Sequence, residues 1–121
     1  MNSDSVILIK SKAFALRIIR MYQYLTVQKH EYILSKQVLR SGTSIGANAK
    51  EAAAGQSRAD FFAKHNIALK EACETEYWLE LLHESGYLSD SDFAGIYSDC
   101  KELIRILTAI TRKQKIASAQ L

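Results

Sequence analysis

Arg40–Glu51 reads RSGTSIGANAKE and is followed directly by AAAGQSRADFFAKHNIALKEACETEYWLELL over Ala52–Leu82. The first stretch is small and weakly polar, and the second is long and charged. Gly42, Gly46, Ala49 and Ala53 recur at helical spacing. A glycine inside a helix costs about 1 kcal/mol relative to alanine, so close packing of helix backbones, within the chain or between copies, is the expected compensation.

Working outward, the 121 residues contain no proline, only five glycines, and 48% hydrophobic residues. With so little turn and hairpin material, the expected class is all-α, in one domain spanning residues 1–121. The 3.6-residue period places helices over 4–26, 31–54, 58–85 and 90–116. Gly55 and Gly86 are read as the C-terminal stops of the second and third. Ser57 with Asp60, and Ser89 with Asp92, have the spacing of helix-capping serines. Short connections between long helices imply an antiparallel up-down-up-down four-helix bundle.

The first helix carries two apolar stripes, Ile7, Phe14, Ile18, Met21 and Leu25, then Leu8, Ala15, Ile19 and Tyr22. One intrachain contact needs only one stripe, so a homo-oligomer is expected. The fourth repeats Phe93, Ile96, Cys100, Leu103, Leu107 and Ile110. Cys73 and Cys100 are read as buried free thiols, and His65 and His83 as flank residues. The apolar run Val6–Ile9 is too short for an export signal, and no run approaches the roughly 20 residues of a membrane span. The expected location is therefore the cytoplasm, with no membrane partner.

Charge is segregated along the chain. Residues 1–60 hold nine Lys or Arg against four acids, residues 61–100 two against eight, and residues 101–121 five against one. Lys10, Arg17 and Arg20 cluster on the first helix, and Lys101, Arg105, Arg112 and Lys115 form a stripe on the fourth. Such stripes suit RNA phosphates. The competing explanation is a solvated or subunit-paired face, answered by acids such as Glu76, Glu80 and Glu84 on the third helix. Arg40, Ser44, Asn48 and Glu51 form a polar row, read as a structural ladder with Arg40 pairing to Glu74 across helices.

Glu80 and His83 have the Glu-x-x-His spacing of a bundle metal site, but a second such motif is missing, so no metal or other cofactor is expected. Without a phosphate loop, catalytic triad or nucleophile elbow, enzymatic activity is not expected either. A scaffold without nucleic acid is the alternative to RNA binding, and a metalloenzyme the remotest.

Arg40-x3-Ser44-Ile45-x2-Asn48-x2-Glu51, Asp60-Phe61-Phe62, Ile67-Ala68-Leu69-Lys70-Glu71 and Glu74-Thr75-Glu76-Tyr77-Trp78-Leu79 together resemble the 23S rRNA intervening-sequence protein family. The family pattern has a small apolar pair and a glycine where this chain has Ala49, Lys50 and Ala52. The resemblance implies a four-helix bundle forming homo-oligomers, pentameric rings among them. Through a distant relative, the accessory protein of diversity-generating retroelements, it also implies a nucleic acid or a nucleic-acid-processing protein as partner.

Overall fold

The computed structural model describes residues 3–119, with side chains described over 5–113. Four α-helices follow one another: α1 (Ser3–Val27), α2 (Leu34–Ala53), α3 (Arg58–Glu84) and α4 (Asp90–Ala119). No strand occurs among the described residues.

In α1, Ile7, Phe14, Ile18, Met21 and Leu25 are all buried, as their spacing requires. The helix ends where His30 takes the left-handed region at φ 54. The Glu31 N–H then donates to the Leu25 carbonyl at 2.9 Å. Glu31 is where α2 was expected to begin, yet α2 begins at Leu34. The reason is that Glu31 caps the helix from outside it. Its carboxylate accepts from the backbone N–H groups of Ile33, Leu34 and Ser35 at 3.0, 2.8 and 2.6 Å. Those are donors that a helix start otherwise leaves unpaired. Burial alone raises the Glu31 pKa, but the Leu34, Ser35 and Ile33 N–H groups outweigh it and leave the carboxyl below its ordinary range.

Both serine caps form: Ser57 and Ser89 accept from the N–H groups of Asp60 and Asp92 at 3.0 and 3.2 Å. Gly86, at φ 90, closes α3. Its N–H donates to His83 O, and the Tyr87 N–H to Leu82 O, the paired bonds of a left-handed helix stop. Gly55 does not act this way. Gly86 is the one glycine at positive φ among the described residues, and α2 ends at Ala53 with Ala54 as a right-handed cap.

The helices contact in cyclic order, α1 with α2, α2 with α3, α3 with α4, and α4 with α1, with no diagonal contact among the described residues. Side-chain pairs tie α4 to both of its neighbours, α1 and α3. Lys10 meets Glu102 and Arg17 meets Asp99. Lys101 meets Glu76 and Tyr97 meets Glu80. The core lies on the common axis, where Ile7, Ile18, Ile45, Leu79, Leu82, Leu103 and Leu107 have at most 1% exposure. Each such side chain contributes about 1.5–3 kcal/mol by leaving water.

Two expectations about burial are corrected. Cys73 is exposed, while Cys100 is buried. Ala72 and Thr75 occupy the inward positions of that turn, which puts Cys73 outside. His65, expected on a flank, has 1% exposure and packs edge-on against Phe61. Its Nδ1 bonds the Phe61 carbonyl at 2.9 Å, whereas Nε2 is buried without a partner.

Candidate functional site

The cationic residues singled out from the sequence separate into two groups. Lys10 Nζ lies 3.1 Å from Glu102, Arg17 Nη1 2.8 Å from Asp99, and Lys101 Nζ 3.0 Å from Glu76. Lys101 also stands 5.6 Å above the Tyr97 ring. Arg20, Arg105 and Arg112 are exposed and make no ion pair among the described residues. The Lys115 side chain lies outside the described residues.

Helical geometry explains the division. On α4, Asp99 and Glu102 fall on the flank turned to α1, whereas Arg105 and Arg112, seven residues apart, fall about 20° from each other on the outward row. Ala94, Ser98 and Thr108 occupy the same row and are exposed, and no carboxylate interrupts it between Ala94 and Arg112. The acids that answer α1 therefore come from α4. The acidic helix α3 supplies Glu76 to Lys101, but Glu80 accepts instead from the Tyr97 hydroxyl at 2.7 Å. That bond, with burial and the charges of Glu76 and Glu80, pushes the Tyr97 phenol up to about 12.

The polar row holds α2 to α3. Arg40 Nη2 donates to Glu74 at 2.5 Å, and Nη1 reaches Glu71 at 3.1 Å. Trp78 Nε1 donates to the same Glu74 oxygen at 3.2 Å. The Arg40 bond holds the Glu74 carboxyl below its ordinary range despite partial burial. Beneath it, the buried hydroxyls of Ser41 and Thr75 lie 2.8 Å apart. Ser44 and Asn48 do not reach across; they donate to the carbonyls of Arg40 and Ser44, one turn back on their own helix. Glu51 is exposed and stands apart. The row is thus one cross-helix clamp, Arg40 with Glu71 and Glu74, followed by two local bonds.

Of the small residues, Gly42 and Gly46 serve the α1–α2 seam inside the chain. A Cβ on Gly42 would stand 2.9 Å from Ile18 Cγ1, and one on Gly46 3.2 Å from Ser11 Oγ. Ala49 is buried in the core, whereas Ala53 is exposed and joins neither contact. Surplus apolar surface lies instead on the outer side of α1, where Ile9, Leu16 and Ile19 are 58%, 48% and 38% exposed.

His83, next to the Glu80 position, pairs with Asp90 at 2.7 Å and stacks on Phe93 at 4.1 Å. No group of three or more potential metal ligands occurs among the described residues. No described helix is long and apolar enough to cross a membrane.

Sequence reasoning missed Asp99 and Glu102, and it named Glu71 only within the family resemblance, without its bond to Arg40. The signal was available in opposed order: basic residues at Lys10 and Arg17 face acids at Glu102 and Asp99 once α1 and α4 are set side by side.

Against known families, residues 3–109 match the model of the 23S rRNA-intervening sequence protein. The chain belongs to that family. No curated protein matches it. A crystal structure of a protein of unknown function from the S23 ribosomal protein family of Bacteroides thetaiotaomicron is similar at 50% identity and a TM-score of 0.90. The match covers 92% of this chain and 99% of that one. The family motif residues Arg40, Glu71, Glu74 and Trp78 are thus, in this member, the components of a helix clamp.

Proposed function

We infer that the protein is a non-enzymatic, cytoplasmic, homo-oligomeric bundle of antiparallel up-down-up-down helices that binds RNA through basic helix faces. The observation that carries this reading is the uncompensated outward row of α4. Arg105 and Arg112 form no ion pair with a described carboxylate, and exposed Ala94, Ser98 and Thr108 leave that row low enough for a phosphate backbone to approach. Arg20 adds a free cation on α1. The name of the family and the S23 ribosomal label of the structural neighbour accord with an RNA partner. Oligomerisation is supported by the exposed apolar side of α1, and a pentamer by the family resemblance.

Filter binding to a structured RNA across a salt series tests the reading. Binding should weaken steeply with salt, and replacing Arg105 and Arg112 with Ala should shallow the slope by about 1–2 per subunit engaged. No binding at low salt, or an unchanged slope, would refute it.

A scaffold without RNA is the second reading, and a specific observation favours it: Lys10, Arg17 and Lys101 are already paired within the chain. Light scattering of Leu16→Glu beside the native protein separates assembly from RNA contact. A multiple of the 13.6 kDa chain mass that falls on substitution supports assembly through α1; a native monomer rules it out.

A further inference from the structure

Arg20 and Tyr24 stand one turn apart on α1, and both line a groove of about 300 Å³ between α1 and α4. Its apolar floor is Met21, Leu88 and Ile96, each at most 9% exposed. Arg17 and Arg20 stand at the rim, and Ser91 and Asp92 form the polar wall contributed by α4. A shallow apolar slot with a few polar groups and a cationic edge suits a planar, hydrogen-bonding heterocycle bearing a negative charge.

The adjoining α1–α2 turn extends the same chemistry. Tyr32 is 53% exposed. Its hydroxyl lies 3.1 Å from His30 Nδ1, and Lys29 Nζ stands 5.9 Å above the Tyr24 ring. The Glu31 carboxylate ties the turn to the start of α2 through three backbone N–H groups, which lowers the ordering cost of presenting Tyr32. Between Arg17 and Arg40 the sole carboxylate is Glu31, which is buried and engaged with backbone N–H groups. Asp92 is the acid that faces the groove, and a carboxylate there accepts from an exocyclic base amine.

We propose that this end of the bundle binds single-stranded nucleic acid, with one unpaired base in the α1–α4 groove beside Tyr24 and a neighbouring base stacked on Tyr32. Arg20 and Lys29 take the phosphates. The proposal rests on the nucleic-acid reading above and narrows it to unpaired strands, because a duplex keeps its base faces stacked on each other.

The test is fluorescence anisotropy with a ten-nucleotide oligocytidylate, whose bases carry the exocyclic amine, repeated with one cytidine replaced by 2-aminopurine, whose emission drops on stacking. The native protein should bind at low salt and quench the probe. Tyr24→Ala/Tyr32→Ala should weaken binding by at least about tenfold and abolish the quench, while Tyr24→Phe/Tyr32→Phe retains both. Should the double alanine variant fold poorly by circular dichroism, Tyr32→Ala alone, on the exposed turn, is expected to lose about fivefold or more.

Unchanged binding in the alanine variants overturns the proposal. So does displacement of the oligonucleotide by polyglutamate at equal charge concentration, which would assign the face to an acidic protein segment. Loss on Arg105→Ala/Arg112→Ala with the tyrosine variants unaffected leaves the phosphate reading standing and sinks this one. The reverse pattern supports this site and removes the α4 row. A native protein silent toward the oligonucleotide at low salt sinks this proposal, and the structured-RNA titration decides the broader reading separately.

Discussion

Arg40 of α2 and Glu74 of α3 meet at 2.5 Å through a guanidinium that also holds Glu71, so one arginine spans two successive turns of its neighbour. The Arg40 side chain is half exposed, which screens the pair and limits its worth. Arg40→Ala should cost about 1 kcal/mol of unfolding free energy, read by urea denaturation. It should also alter the fluorescence of Trp78, the only tryptophan, whose Nε1 bonds Glu74. An unchanged midpoint would mean that Glu71 and Glu74 are equally content in water.

Gly42 is set against Ile18 with no room for a methyl group. Gly42→Ala gains about 1 kcal/mol in helix propensity but incurs about 1–3 kcal/mol of overpacking, so a net loss is expected. Ile18→Val in the same chain should recover part of it. A stabilised single variant would show that α1 and α2 can separate without cost.

Glu31 and Glu74 both titrate below their ordinary range in the folded protein. A depressed carboxyl contributes stability above its unfolded value, 4.5, and that contribution is lost as pH falls through the lower folded value. The melting temperature should therefore hold from neutral pH to about 5 and fall below that. Glu31→Ala should cost about 1–2 kcal/mol at pH 7 and flatten the acid limb. A variant with the same acid profile as the native protein would remove Glu31 from this role.

The two thiols should behave differently toward a disulfide reagent. Cys100 is buried and its thiol is pushed up to about 12, mainly by burial and then by the Glu76 charge. Cys73 is exposed, with a thiol raised by the same two causes. One equivalent should react in the native protein and the second only in denaturant. Rapid reaction of both at neutral pH would contradict the buried position of Cys100.

The helices were legible because their signals are local. The core stripe of α4, the serine caps at Ser57 and Ser89 and the glycine stop at Gly86 each depend on residues within a turn or two. Arg40 with Glu74 was legible because both lie in one recognisable motif. Position around a helix axis was harder: Cys73 and His65 lie on opposite sides of their expected places because neighbours on α3 decide which side faces in. Glu31 was misplaced because a carboxylate capping from outside has the same composition as a first helical turn. The division of the cations required knowing that α4 lies beside α1, a relation between residues 82 and 92 positions apart that no local pattern contains.

That separation governs how the chain completes itself. Lys10 must wait for Glu102 and Arg17 for Asp99, so on a ribosome the first helix is made long before the partner that closes the ring is available. Helices α1 to α3 have short-range neighbours and engage early, while the loop-closure entropy of the α1–α4 seam is met last. Until then the side of α1 destined for α4 remains wet, and a nascent chain halted before Asp99 exposes a cleft where the finished protein has a wall. The Lys10–Glu102 and Arg17–Asp99 pairs of that seam are partly exposed, so ionic strength bears on this last act of folding.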